Sequence, residues 1–474
     1  MLSKIKNAPD SVKSAVAFTI SSLFIRGVAF VTTPVFTRIM TTDQYGVVST
    51  YNSWQTILEV FALLGLTSAG VFNVGLNDYR NNRDKYMSSV LILSNTATIV
   101  SFIVVLVISI IFGNDIIMPI SYLIIMYVQF FFSPAQIFWI TRQRYEYKYK
   151  LATVISVFSV LLIQVIGIFC VKAAGPENSA FAKVVSTGFV SLLFYIPFYI
   201  LLIKRGKTGF DRAIWKETLL FALPLLPHYL AQHVMLGADR IMISRITSTS
   251  DAAIYSVVSA ISLIATIVWS AANASLTPFI YDKLNNNKNE AINGVVFPIL
   301  SAYSIMCVFV TLIAPEVLFV LAPKEYAYGI YAVPPIAGVA FLNALYNTYA
   351  SIEFYHKKSK TIATATIIAC IINISLNALA IPIFGFVAAA YTTLISNIVL
   401  ILVHYRGYRS CQEKPIFADK SILVLSLACI GLCEACVLLY QNTFVRYGFI
   451  VFLITLAIIF RKKIAELYYI TRKQ

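Results

Sequence analysis

Residues 37–49 read TRIMTTDQYGVVS, and residues 244–259 read SRITSTSDAAIYSVVS. Arg38 aligns with Arg245, Asp43 with Asp251, and Tyr45-x-Val-Val-Ser with Tyr255-x-Val-Val-Ser; the offset is 207 at the arginine and 210 at the tyrosine. A second pair shares the period. Lys148-Tyr-Lys and Lys358-Ser-Lys lie 210 residues apart, as do Gly175 and Gly385. Two independent matches at one spacing mark an internal duplication, and self-similarity of this kind guides architecture better than any single motif.

Each copy of the motif stands between long apolar runs. The chain has 474 residues, is 59% hydrophobic and carries only 12% charged residues, against about 25% in soluble domains. Runs of about 20 apolar residues are long enough to cross a hydrocarbon core of about 30 Å. Read against polar breaks, the sequence predicts fourteen spans, near 12–38, 46–74, 86–112, 116–140, 150–172, 178–203, 216–244, 251–280, 291–314, 327–352, 361–382, 386–405, 421–440 and 443–460. The first run, TISSLFIRGVAFVTTPVF, is too long for a signal-peptide core and is read as a retained span.

The positive-inside rule tests this count. With a cytoplasmic N-terminus, 29 of the 37 Lys and Arg fall on inside segments. Seven fall outside (Arg38, Lys172, Lys183, Arg240, Arg245, Lys324 and Arg446), and Arg26 lies within a span. The alternation is unbroken, so both termini are expected in the cytoplasm. The formal charge of +16 then reflects topology and anionic inner-leaflet lipid, with no nucleic-acid partner required. The expected fold is an all-α integral membrane protein with two six-helix lobes, residues 1–206 and 207–412, and an accessory pair of helices with a tail, 413–474. Six spans per repeat is an even number, so both lobes lie the same way up, related by a pseudo-two-fold axis along the membrane normal.

This layout excludes several functions. All loops are short and no G-x-x-x-x-G-K-[ST] phosphate loop occurs, so a single-chain ATP-driven pump is ruled out. A membrane polymerase or ligase would need a sizeable outer loop, and a transporter without enzymatic activity is expected. The seven cysteines fall almost entirely in apolar runs, which argues against a disulfide framework. Cys429, Cys433 and Cys436 share one helix face, but with no histidine nearby they read as small apolar residues rather than metal ligands.

Charge inside the spans is costly, about 3 kcal/mol for an arginine on insertion scales, and so marks candidate functional residues. Arg26 lies near the middle of span one, and Glu59 reaches a similar depth in span two. Two readings stand side by side. The two residues form a buried ion pair that fixes packing, or the guanidinium faces a cavity where it grips an anionic substrate. At offset 207 Arg26 aligns with His233, so both lobes would offer a basic or titratable group at matching positions. Asp239, Arg240 and Arg245, near the outer end of span seven, read as an outer gate or as interfacial anchors; neighbours on a helix diverge by about 100°, so Asp239 and Arg240 are not expected to pair. Pro224 and Pro227 with Gly237 make span seven a candidate hinge. Glu353 is expected to snorkel to the inner face, and Glu434 faces either the core or a lipid groove.

The stretches TTDQYGVVSTYNSW, GADRIMISRITSTSDAAIYSVVSAI and KKSKTIATATIIACIINISLNALAIPIFGFVAAAYTTLIS, the last with an N-x-x-x-N pair and a G-F-x-A-A-A turn, carry a family resemblance. They resemble polysaccharide-export flippases of the multidrug/oligosaccharidyl-lipid/polysaccharide exporter superfamily, over essentially the whole chain. The resemblance implies a multi-pass protein of the bacterial plasma membrane that moves undecaprenyl-pyrophosphate-linked oligosaccharide repeat units to the outer leaflet by alternating access. Na+ or H+ coupling would be compatible with it, no other cofactor is implied, and polysaccharide polymerase and assembly proteins are natural partners. A peptidoglycan lipid-precursor flippase and a multidrug or organic-cation antiporter of the same superfamily are the alternatives. A cation carrier would favour acidic midplane residues, and Glu59 is opposed by Arg26.

Overall fold

The structure is a computed structural model that describes residues 9–113, 116–286, 288–411 and 415–472. These residues are helical almost throughout, and twelve helices are long and apolar enough to cross a membrane. The fourteen spans and the side on which the termini lie stay expectations of the sequence. The expected boundary at 412/413 lies outside the described residues.

The chain divides into two compact units, Met1–Gly237 and Ala238–Gln474. The first contains α1 (Asp10–Ile39), α2 (Thr42–Leu63), α3 (Ala69–Asp78), α4 (Arg83–Phe112), α5 (Ile120–Tyr145), α6 (Tyr149–Ala174), α7 (Ser179–Gly206), α8 (Arg212–Ala222) and the start of α9 (Leu226–Ile246). The second continues with α10 (Thr249–Ile261), α11 (Leu263–Asn285), α12 (Asn289–Leu312), α13 (Ala314–Leu321), α14 (Val333–Tyr355), α15 (Ser359–Phe384), α16 (Val387–Arg409), α17 (Asp419–Ala435) and α18 (Thr443–Arg472). The division by packing therefore falls inside α9, later than the sequence boundary at 206.

The duplication is written into the backbone at matching residues. Thr41 caps α2 by accepting the Gln44 N–H at 3.3 Å, and Ser248 caps α10 by accepting the Asp251 N–H at 3.0 Å. Ahead of α6 and of α15 the chain makes the same left-handed turn, at Tyr147 (φ 57°) and Lys357 (φ 58°). In both turns a 6→1 bond of 2.8 Å closes the preceding helix, Lys148 N–H to Gln143 O and Lys358 N–H to Glu353 O. Both following helices stop at a glycine of positive φ, Gly175 (76°) and Gly385 (73°). Side chains have diverged around a retained path of the main chain.

Several expected spans are interrupted, among them spans two and seven. Span two breaks at Leu64 and Gly65, both left-handed, between α2 and α3. In span seven a 3-10 turn, Leu223–Leu225, separates α8 from α9 around Pro224. A proline cannot donate to the preceding turn, and its ring crowds the carbonyl four residues back.

Each unit has its own aromatic core. In the first, Phe72 stacks on Phe138 at 4.2 Å among buried Leu66, Leu76, Met87 and Leu91. In the second, Tyr349 of α14 stacks on Tyr408 of α16 at 4.8 Å, with Phe417 against both. Outward-facing side chains such as Phe169, Leu379 and Leu427 are largely exposed, as lipid-solvated helices require. Lipid is as apolar as leucine, so helix association rests on close packing and hydrogen bonds.

One such contact corrects an expectation. Glu353 does not snorkel: it is fully buried and hydrogen-bonded to the Nδ1 of His404 across the α14–α16 contact. Gly407 permits this approach, because a β-carbon there would lie 1.7 Å from Glu353 Oε1. Gly407→Ala should therefore separate a buried acid from its partner, a class of lesion costing about 3–5 kcal/mol. The check is thermal unfolding in detergent beside Gly294→Ala, where a β-carbon meets nothing within 4 Å and only a small change is expected.

Candidate functional site

In the first unit, span seven lies along span two. Tyr229, His233 and Gly237 recur every four residues on α9 and so share one face. Tyr229 packs on Gly65, the His233 ring hydrogen-bonds the backbone of Thr56, and a β-carbon at Gly237 would lie 3.1 Å from the Ser53 carbonyl. Gly237 is thus a point of close helix approach. His233 Nδ1 is buried without a partner. At Thr56, His233 thus packs on span two one helical turn from Glu59, whose own side chain lies near Tyr195 of α7.

Arg26 stands apart from both. It is exposed near the middle of the 30-residue α1, and among the described residues no ion pair joins it to Glu59. Helix α1 packs chiefly on α6 rather than on α2. Of the two readings of Arg26, the packing pair is the one this geometry does not form.

The second unit holds a polar centre of different character. Asp239 is 4% exposed, and its carboxylate accepts three hydrogen bonds: from Tyr255 Oη at 2.9 Å, Asn377 Nδ2 at 2.7 Å and Thr393 Oγ1 at 2.9 Å. Asn377 Nδ2 also reaches Asn373 Oδ1 at 3.4 Å, Asn373 Nδ2 donates to Thr393 at 3.0 Å, and Thr392 donates to Asn377 Oδ1. An unpaired carboxylate in an apolar interior costs several kcal/mol, so three donors converging on one acid form a strongly specified arrangement. The Nε of Arg240 donates to Ser256 at 3.0 Å, and its guanidinium lies 5.8 Å from the Tyr255 ring centroid, close enough for its charge to act on Asp239. Arg245 is exposed in the last turn of α9.

The partners of Asp239 escaped the sequence reading. Their signal was present in the N-x-x-x-N pair, since Asn373 and Asn377 at i and i+4 put both amides on one face of α15. Tyr255 likewise lay inside the repeated motif. Glu434 takes a hydrogen bond from Tyr391 of α16 at 2.9 Å, so it faces protein on that side. Arg446 is 4% exposed and pairs with Glu316, whose carboxylate also takes the Tyr447 hydroxyl at 2.9 Å.

The residues around Asp239 carry oxygens of the kind that alkali and alkaline-earth ions prefer, but Asn377 turns its Nδ2 to the carboxylate and its Oδ1 to Thr392, so holding a cation would require the amides to turn. The same buried carboxylate could instead carry a proton.

Solved structures share this fold. A lipid II flippase MurJ in an inward closed conformation superposes with a TM-score of 0.66 at 17% identity, over 95% of this chain and 100% of that one. A multidrug resistance MATE family transporter of the MOP superfamily, facing inward, gives 0.58 at 12% identity over 84% and 98%. A MOP superfamily transporter from Pyrococcus furiosus Vc1, described by the reverse polarity of its binding pocket, gives 0.58 at 13% identity over 90% and 98%. No curated protein matches the chain in sequence. The profile of the family described as "Polysaccharide biosynthesis protein" matches residues 11–282, more than half of the chain. With that match, the chain belongs to the family described as polysaccharide biosynthesis protein, and it shares the fold of these transporters.

Proposed function

We propose that this protein flips undecaprenyl-pyrophosphate-linked oligosaccharide repeat units from the inner to the outer leaflet of the bacterial plasma membrane, by alternating access, for surface polysaccharide synthesis. The observation that carries this reading is Arg26, a mid-helix guanidinium left exposed and without an ion pair to Glu59. A charge of that cost is retained where it meets an opposite charge, and a planar guanidinium matches phosphate oxygens in bidentate fashion. An organic cation would be repelled from the same place. The family description points to a polysaccharide pathway, in which a polymerase and assembly proteins would take the product.

The likeness to a lipid II flippase supports a second reading, transport of the peptidoglycan lipid precursor. Proteoliposomes decide between them. The protein should translocate a lipid-linked oligosaccharide repeat unit, leave an organic cation untouched, and fail to rescue cells depleted of their lipid II flippase. Rescue of those cells would reverse the order of the two readings.

Asp239, with Asn373, Asn377, Thr392 and Thr393, would hold a coupling Na+, or Asp239 alone a coupling proton. A bound cation would add to the positive charge of Arg240 and the three hydrogen-bond donors that already support this carboxylate. Pro224 and Pro227 would serve the movement of span seven. Replacing both with alanine should restore a continuous helix, leave membrane insertion intact and cut translocation severalfold; unchanged translocation removes the hinge.

A further inference from the structure

At one end of the first unit the loop before α4, the end of α5 and the end of α7 enclose a polar cavity of about 360 Å³. It is lined by Arg80, Asn81, Asn82, Arg83, Asp84, Lys85, Arg142, Arg205 and Gly206. Five of these nine residues are cationic and one is anionic. Acids account for three of the cations. Glu146 bonds Arg83 at 3.0 Å and Arg142 at 2.9 Å, Asp84 bonds Arg142, and Asp211 bonds Lys85 at 2.7 Å. Burial pushes the Glu146 carboxyl up, but hydrogen bonds from Lys148 and Arg142 outweigh it and hold the group at about 2. This acid therefore stays ionised and keeps both guanidiniums in place.

Two cations are left over. Arg80 is exposed and, among the described residues, bonds only a neutral amide, Asn77 Oδ1, at 2.9 and 3.2 Å. Arg205 is exposed, with no hydrogen bond or ion pair among the described residues. Residues 83–85 are also the first turn of α4, whose N-cap Asn82 makes no side-chain cap bond, so that helix end adds partial positive charge to the same cavity. Topological bias alone would be met by scattered lysines. Four arginines and a lysine around one concavity, two of the arginines clamped by a shared carboxylate, make a preformed receptor for a tetrahedral oxyanion.

We infer that this cavity binds a phosphate group, with Arg80 and Arg205 as its uncommitted ligands. The phosphate belongs either to the headgroup of an anionic inner-leaflet lipid or to a soluble phosphorylated molecule. The site is separate from Arg26 and the Asp239 cluster and stands whatever the transported molecule proves to be.

The test uses the full-length protein, inorganic pyrophosphate in detergent, and nanodiscs of phosphatidylcholine with and without phosphatidylglycerol. Arg80→Gln/Arg205→Gln removes the uncommitted cations and spares every ion pair named above. Lys204→Gln/Lys216→Gln removes two exposed charges outside the cavity. Two charge-assisted contacts predict at least about a tenfold weaker response in the first pair and little change in the second. Thermal stabilisation by pyrophosphate, lost in the cavity variant alone, places a soluble phosphate there. Stabilisation by phosphatidylglycerol alone, lost in the same variant, places a lipid headgroup there. Equal responses in both variants, or no response in the wild type, overturn the inference.

Discussion

Cells carrying Arg26→Ala should lose most of their surface polysaccharide and accumulate the lipid-linked repeat unit, with the protein present at normal levels. A hydrogen bond to a charged group contributes about 1.5–3 kcal/mol, which corresponds to roughly 10- to 100-fold in rate. Insertion should not suffer, because removing a mid-span arginine relieves about 3 kcal/mol on insertion scales. Arg26→Lys should retain part of the activity, since lysine keeps the charge but not the planar fork. Normal polymer in the alanine variant would take Arg26 off the substrate path. Among the described residues no ion pair joins Arg26 to Glu59, so a loss could not be laid to breaking that pair.

The second large effect is expected at Asp239. Asp239→Asn keeps the shape and removes the charge, so it should fold, as followed by thermal unfolding, yet translocate at least about tenfold more slowly, the cost of a single charged contact. If the cluster holds Na+, wild-type protein gains thermal stability with added Na+ and the variant does not. If it holds a proton, Na+ is without effect and the variant loses the pH dependence of transport. Asp239→Ala is a harsher change. It leaves Tyr255, Asn377 and Thr393 facing a void, and breaking a buried charged network costs about 3–5 kcal/mol. An Asp239→Asn protein that transports normally under both gradients would reduce the cluster to packing.

Much of this was legible before any coordinates. Apolar runs of membrane-crossing length, the alternation of Lys and Arg, and the 207–210 residue period follow from composition and order along the chain. Membrane insertion reads these local properties, since every span must satisfy its own backbone in lipid. The period reappears locally in the caps at Thr41 and Ser248 and in the turns at Tyr147 and Lys357. Caps and turns depend on a few consecutive residues, so duplicated sequence keeps them.

Pairings between distant helices were not legible. Arg26 and Glu59 match in depth, but depth along an axis says nothing about which face a side chain occupies, and α1 turns its packing toward α6. Asp239 lies 138 residues from Asn377 and 154 from Thr393, and Glu353 lies 51 from His404. Only the packing of whole helices brings such groups within 3 Å. The sequence by itself determined the apolar runs of membrane-crossing length, the internal period and the set of costly charges, because each is a one-dimensional property. The tertiary structure decided which charges are paired and which stay exposed, because a buried charge must find its partner in three dimensions.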